Sequence, residues 1–324
     1  MSEEIKNTIT PVVLSASRST DIPAFYADWL LERLKAGHCN WVNPFNRAVY
    51  RISFADVRMI VFWSKNPKPL VGRLDELEVL GFKNYYFQFT LNDYVREGLE
   101  PNVPSVESRL ATFKELSKRI GKARVVWRFD PMLLSDTLTV DVLLGRLAAI
   151  GRELRGFTEK LVFSFADIQN YRKVVKNLAG TGCREFTADE KIEFVKGLCD
   201  LNRELGLELA TCAEGIDLAA YGVRHNKCVD DDLMVRLFHD DARLMTFLGA
   251  ERDMFNGWTI PKSKKDKGQR TACGCVVSKD IGMYNTCPHL CRYCYANASD
   301  TTVLANRAKH ERNPHGELLI PDGR

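Results

Sequence analysis

The sequence has no long hydrophobic run. Its longest apolar stretches, such as residues 59–63, fall far short of the about 20 residues that a membrane-spanning helix needs. Residues 1–6, Met1-Ser2-Glu3-Glu4-Ile5-Lys6, are charged and carry no apolar stretch of signal-peptide length, so the expectation is a cytoplasmic protein with no membrane partner. Charge of one sign is also scarce. A net charge of +4 over 324 residues does not by itself call for nucleic acid or an anionic surface. Only six histidines occur, and His225, His239, His310 and His315 show no mutual metal-ligand spacing. There is no phosphate loop, no internal repeat and no low-complexity block.

What is present is ordinary globular composition, 45% hydrophobic and 27% charged, enough for one large α/β domain with a small extension. Six runs rich in β-branched and aromatic residues read as strands: residues 11–18, 59–66, 84–91, 124–131, 160–167 and 207–214. Most stay apolar until their last few positions, as strands covered on both faces do. Helical patterns separate them. One begins near Asp21, with Pro23 in its first turn and a stripe of Phe25, Trp29, Leu30 and Leu34, and stops at Gly37. Others end at Gly81, Gly121, Gly156 and Gly206, and Thr187-x-x-Glu190 reads as a capping box.

This βα alternation predicts a parallel sheet with right-handed crossovers. A closed eight-stranded barrel, an open doubly wound sheet and a six-stranded partial barrel all satisfy it. A glycine-rich dinucleotide fingerprint is missing after the first strand, where Ser15-Ala16-Ser17-Arg18-Ser19-Thr20-Asp21 stands instead. Several strands finish on polar residues: Ser17 and Arg18, Lys65 and Asn66, Gln88 and Thr90, Arg128 and Asp130, Ser164 and Asp167, Cys212 and Glu214. Recurrence at six strand ends favours a shared pocket over strands merely reaching water. Arg128 and Asp130, two apart, belong on one face.

The character changes after about residue 249. Lys262-Ser263-Lys264-Lys265-Asp266-Lys267 is a basic strip, either a solvated loop or a phosphate contact. Then come thiols. The chain has ten cysteines, half of them between residues 273 and 294, and in a reducing compartment such clustering points to metal rather than disulfides. Cys287-Pro288-His289-Leu290-Cys291-Arg292-Tyr293-Cys294 gives the spacing Cys-x3-Cys-x2-Cys. Three thiolates converging from a short loop suit a four-iron, four-sulfur cluster and leave one iron open to an outside ligand. Structural zinc, which wants four ligands, stays open if Cys273 or Cys275 completes the set. Cys212, Cys228, Cys273 and Cys275 form a second candidate set, for another iron–sulfur cluster or zinc. Cys39, Cys183 and Cys199 read as structural, and His289 as a further metal ligand or, in preference, a loop residue beside the metal.

The cysteine spacing, with an aromatic before its last thiol, resembles the signature of the radical S-adenosylmethionine superfamily, and the six βα units resemble that superfamily's partial barrel. Residues 59–67, Met-Ile-Val-Phe-Trp-Ser-Lys-Asn-Pro, look like a strand of its spore photoproduct lyase-like branch. As a whole the chain resembles an uncharacterised bacterial domain-of-unknown-function family with the cysteine motif near its C-terminus, most specifically at residues 17–23, 43–46, 62–67 and 287–297. One departure stands out: the motif follows the last strand instead of the first.

The resemblance implies a partial (β/α)6 TIM-like barrel over residues 1–249. A cysteine-rich segment, residues 250–324, then folds back over the strand ends. It implies two cofactors, a 4Fe-4S cluster and S-adenosyl-L-methionine. It also implies an electron donor such as flavodoxin or ferredoxin, and radical chemistry on a substrate that the sequence does not name. Tyr293 matches the aromatic beside the cofactor. Lys65, Arg128 and Arg18 are candidates for its carboxylate, and Asp130 and Glu214 for its ribose or amino group. Two other readings are a non-radical iron–sulfur protein and a zinc-stabilised nucleic-acid-binding or repair protein.

Overall fold

The structure is a computed structural model and describes residues 8–253 and 257–321; residues 1–6 of the N-terminal reading and the final Arg324 lie outside them. All six expected strands form, five of them shorter than the expected run and β4 shifted by one residue at equal length: β1 (Val13–Ala16), β2 (Met59–Ser64), β3 (Tyr85–Thr90), β4 (Val125–Met132), β5 (Lys160–Phe165) and β6 (Glu208–Thr211). Two further strands of two residues each, β7 (Arg224–His225) and β8 (Lys279–Asp280), were not expected. The sheet runs β7-β6-β5-β4-β3-β2-β1-β8, and every neighbouring pair is parallel. Among the described residues its two edge strands are not paired with each other. The result is an α/β fold around an eight-stranded parallel sheet flanked by helices, compatible with a partial barrel.

Side-chain alternation along the strands divides the core in two. Leu14, Ile60, Phe62, Phe87, Trp127 and Phe163 point into the larger half. The helices α1 (Ala27–Ala36), α2 (Val106–Ile120), α3 (Val140–Leu154) and α4 (Ala188–Leu205) supply its other wall. Val13, Met59, Val61, Tyr86, Val126 and Val162 point the other way, against α5 (Asp231–Phe238), α6 (Ala242–Leu248) and Cys273, Cys275 and Val276. Burial on both faces explains the near-continuous apolar strands. It also joins the segment after residue 249 to the same core.

The helix expected from Asp21 to Gly37 divides at Tyr26 into Ile22–Phe25 and α1. After the cysteines comes α7 (Asp300–Arg312), which buries only Val303 and His310 and so has no apolar stripe to find in the sequence. A small sheet of Thr8–Ile9, His38–Val42 and Val49–Ser53 is a further addition. No described helix is long and apolar enough to cross a membrane.

The capping box forms as expected. Thr187 Oγ1 accepts from Glu190 N at 3.3 Å, and Glu190 Oε2 accepts from Thr187 N at 2.9 Å. Arg184, followed by the Thr187 amide, holds the Glu190 carboxyl down from 4.5 to about 2. Thr187→Ala should cost about 1 kcal/mol in urea unfolding. Because the folded pKa is depressed, the Glu190 contribution is complete above about pH 4.5 and fades as pH falls through about 2. A Glu190→Gln variant should therefore differ from wild type at pH 6 and converge with it in acid.

Candidate metal centre at the strand ends

The carboxyl ends of β1 to β6 open into one cavity of about 1060 Å³. Ser17, Arg18, Lys65, Thr90, Arg128, Asp130, Ser164, Asp167, Cys212 and Glu214 line it, together with Cys228, Cys273, Cys275, Cys287, Cys291 and Cys294. The polar strand ends thus share a pocket, and the cysteine segment does lie over them. Asn66 and Gln88 are outside it. Gln88 is buried and donates to Cys228 O at 2.9 Å.

Residues 279–297 reach this position in three steps. First, β8 adds to the sheet edge beside β1, with Lys279 opposite Leu14 and Asp280 opposite Ser15. The Asp280 carboxylate then accepts from Ser17 Oγ, Arg18 N and Gly282 N, each at 2.8 Å. Gly282 passes so close to β1 that a Cβ on it would collide with the Ser17 side chain. Last, the loop is pinned at several points. Tyr26 Oη donates to Thr286 O, Asn102 Nδ2 to Pro288 O, Arg292 N to Leu99 O and Asn297 Nδ2 to Cys287 O.

Asp21 is the hub below the loop. It caps Ala24 N at 3.0 Å and accepts from Ser64 Oγ and Lys65 N, both at 2.7 Å. It also contacts His289 Nε2 at 2.9 Å, while His289 Nδ1 faces Asn102 O at 3.3 Å. Both ring nitrogens of this buried histidine are therefore engaged by protein oxygens, which leaves neither for a metal. The loop reading of His289 agrees with this.

Tyr293 lies in a buried charged knot. Its hydroxyl donates to Glu100 and also meets Lys65 Nζ at 2.9 Å and Asn92 Nδ2 at 3.2 Å. Lys65 Nζ reaches Glu100 Oε1 at 2.8 Å, and Arg109 Nη1 faces the other carboxylate oxygen at 3.9 Å. Burial opposes the charge on Glu100, but Lys65 and Arg109 outweigh it and hold its carboxyl below the usual range. Glu100, Asn92 and Asp280 sit in polar loops or short strands with no pattern to mark them in sequence. Asp21 carried a signal, as a helix-start residue two before Pro23.

Of the three expected carboxylate partners, two are already engaged. Lys65 belongs to the Glu100 knot. Arg128 is buried against Asp130, Gln88 Oε1 and Cys228 Sγ, the last at 2.8 Å. Arg18 is the freest: its guanidinium lies over Trp63 and donates to Ser278 Oγ at 3.2 Å. Asp130 also accepts from Ser164, and Glu214 from Phe165 N at 2.8 Å.

Burial, with Asp21 next, pushes the Cys287 thiol well above its ordinary range, and burial does the same to Cys291 and Cys294. The protein alone thus disfavours three bare thiolates, and a metal's charge is what deprotonates such thiols. A tetrahedral zinc with Zn–S of about 2.3 Å holds its sulfurs about 3.8 Å apart. At least one pair among Cys287, Cys291 and Cys294 is separated by more than 4.8 Å. Three cavity-lining thiols beside an occupied histidine are one ligand short of the four that a closed zinc site takes from protein.

Among the described residues, the one compact group of metal-type ligands is Asp230, Asp231 and Asp232. Lys160 and Lys227 already answer their charge, and Asp230 caps α5. The basic strip is likewise tied down: Ser263 bonds Asp231, Lys264 lies over Phe247 and Lys265 donates to Thr271 O.

Residues 13–296 match the family model described as Domain of unknown function (DUF1848). The chain belongs to the DUF1848 family. No curated protein and no solved structure matches it. The family match spans β1 through the cysteine loop, so the DUF1848 unit includes both the sheet and the segment that closes over it.

The Gly282 contact yields a prediction for this DUF1848 chain. Gly282→Ala should force β8 away from β1 and cost about 1–3 kcal/mol, the usual range for overpacking. Hydrogen exchange should speed up at the amides of Arg18 and Ile281, which bond across this junction, and stay unchanged in β3 to β5. Unchanged exchange at the junction would remove the docking role of Gly282.

Proposed function

We propose that this protein is an iron–sulfur enzyme of radical S-adenosylmethionine type, with the cluster on Cys287, Cys291 and Cys294. The observation that carries the proposal is a loop of three cavity-lining thiols whose nearest extra ligand, His289, is committed to Asp21 and Asn102. That donor set suits a cluster with one vacant iron facing the roomy cavity at the strand ends. The resemblance of the Cys-x3-Cys-x2-Cys spacing adds support. The bound group would supply one electron for reductive carbon–sulfur cleavage of S-adenosylmethionine, which starts radical chemistry on a substrate.

The remaining work falls to the chain. Arg18 is the best-placed cation for the cofactor's carboxylate, since Lys65 and Arg128 already have anionic or thiol partners. Asp130 and Glu214 line the cavity, where hydroxyl or amino groups of the cofactor would share their carboxylates with Arg128, Ser164 and the Phe165 amide. Tyr293, fixed by Glu100 and Lys65, holds the cysteine loop at its register and keeps water from the cluster's buried side.

Anaerobically reconstituted, reduced protein mixed with S-adenosylmethionine should release 5′-deoxyadenosine, and a Cys291→Ala variant should not. A fully reconstituted, reduced cluster that leaves the cofactor intact across varied substrates would contradict the proposal. Arg18→Ala should weaken cofactor binding about 10–100-fold, the worth of a hydrogen bond to a charged group. Equilibrium binding to the reduced protein would measure it, and an unchanged affinity would remove Arg18 from the site.

A further inference from the structure

Four more cysteines meet on the same cavity. Cys212 follows β6, Cys228 follows β7, and Cys273 and Cys275 lie in the stretch that leads into β8. Three distant parts of the chain therefore bring thiols to one place. Cys212 Sγ is 3.4 Å from Cys228 Sγ. Cys275 Sγ accepts from the backbone N–H groups of Cys228 and Val229, at 3.2 and 3.3 Å. Cys275 also contacts the thiols of both Cys228 and Cys273. The four sulfurs form a connected row.

The surroundings are those of sulfur anions. Arg128 Nη1 reaches Cys228 Sγ at 2.8 Å and Asn226 Nδ2 reaches it at 3.2 Å. Both donors are buried, Arg128 at 4% exposure and Asn226 at 3%. A buried guanidinium needs negative charge beside it, and among the described residues Asp130 is its one carboxylate partner. Hydrogen bonds from N–H groups onto ligand sulfurs are the usual outer shell of a thiolate-held metal group.

The spacing speaks to the kind of metal. Tetrahedral zinc would gather its sulfurs to about 3.8 Å of one another. Yet no three of these four sulfurs lie within 4.8 Å of each other. We propose that Cys212, Cys228, Cys273 and Cys275 ligate a second iron–sulfur cluster on the cavity that the first three cysteines line, with Arg128 and Asn226 as its outer-shell donors. The proposal stands apart from the radical reading, because none of its ligands belongs to residues 287–294.

The Cys287→Ala, Cys291→Ala, Cys294→Ala triple variant, purified and reconstituted anaerobically, separates the two sites. It should keep roughly half of the wild-type iron and acid-labile sulfide. Absence of iron and sulfide in a triple variant with native circular dichroism, or zinc in their place, would overturn the second cluster. A Cys273→Ser, Cys275→Ser variant gives the converse count and guards against misfolding of the first. It should lose roughly half of the iron while its remaining cluster still responds to S-adenosylmethionine. A full iron complement in that variant would equally overturn the proposal. Loss of the S-adenosylmethionine response in wild type, with both counts as expected, would sink the radical reading alone.

Discussion

The architecture depends on two residues, Lys279 and Asp280, pairing in parallel with the edge of β1. A parallel neighbour can only be reached by a crossover from the far end of the sheet, so the chain must travel back before it can add β8. Once there, the Asp280 carboxylate ties the junction to Ser17 and Arg18. The next residues emerge at the carboxyl ends of the strands, where open α/β sheets place their ligand sites. The sequence position of the cysteine motif, after the last long strand, thus ceases to be an obstacle. The motif leaves the sheet from an edge strand adjacent to β1.

Charge is handled differently on the two sides of the cavity. Around Tyr293 the charges are packed against one another: Glu100 is surrounded by Lys65, Arg109, Asn92 and the tyrosine hydroxyl, two cations to one carboxylate. Buried ion pairs of this kind add little net stability but resist rearrangement, because removing one partner strands the other. The thiols of residues 287–294 are the reverse case. Cys291 is buried and Cys287 and Cys294 half-buried, and the amides of His289, Ala296 and Asn297 that favour their anions do not outweigh desolvation, which suits a site completed by metal charge. The quartet around Cys228 has Arg128 and backbone amides aimed at sulfur, an electrostatic setting of its own.

Much of the scaffold was legible because it is repetitive. Near-continuous apolar runs gave away strands buried on two faces, and Gly37, Gly121 and Gly206 marked helix ends at which positive φ is needed. The parts that escaped carry too few residues for a pattern. Strands of two residues, β7 and β8, have no periodicity, and α7 has no apolar stripe. The site was legible in its chemistry more than in its wiring. The seven thiols and the polar strand ends could be named, since their residue types are costly to bury without purpose. Which cation pairs with which anion could not be. Lys65 and Arg128 looked equivalent to Arg18 in sequence, and only the packing of Glu100 against one and Cys228 against the other separates them.

The central claim is that one iron, held near Cys287, Cys291 and Cys294, is open to an outside ligand. Electron paramagnetic resonance on the reduced, anaerobic protein tests this most directly, recorded with and without S-adenosylmethionine carrying a nitrogen-15 label at its amino group. The account predicts that the cofactor changes the cluster's signal and that the label couples to it. A signal that is indifferent to the cofactor, in protein whose three cysteines are confirmed as ligands, would contradict it.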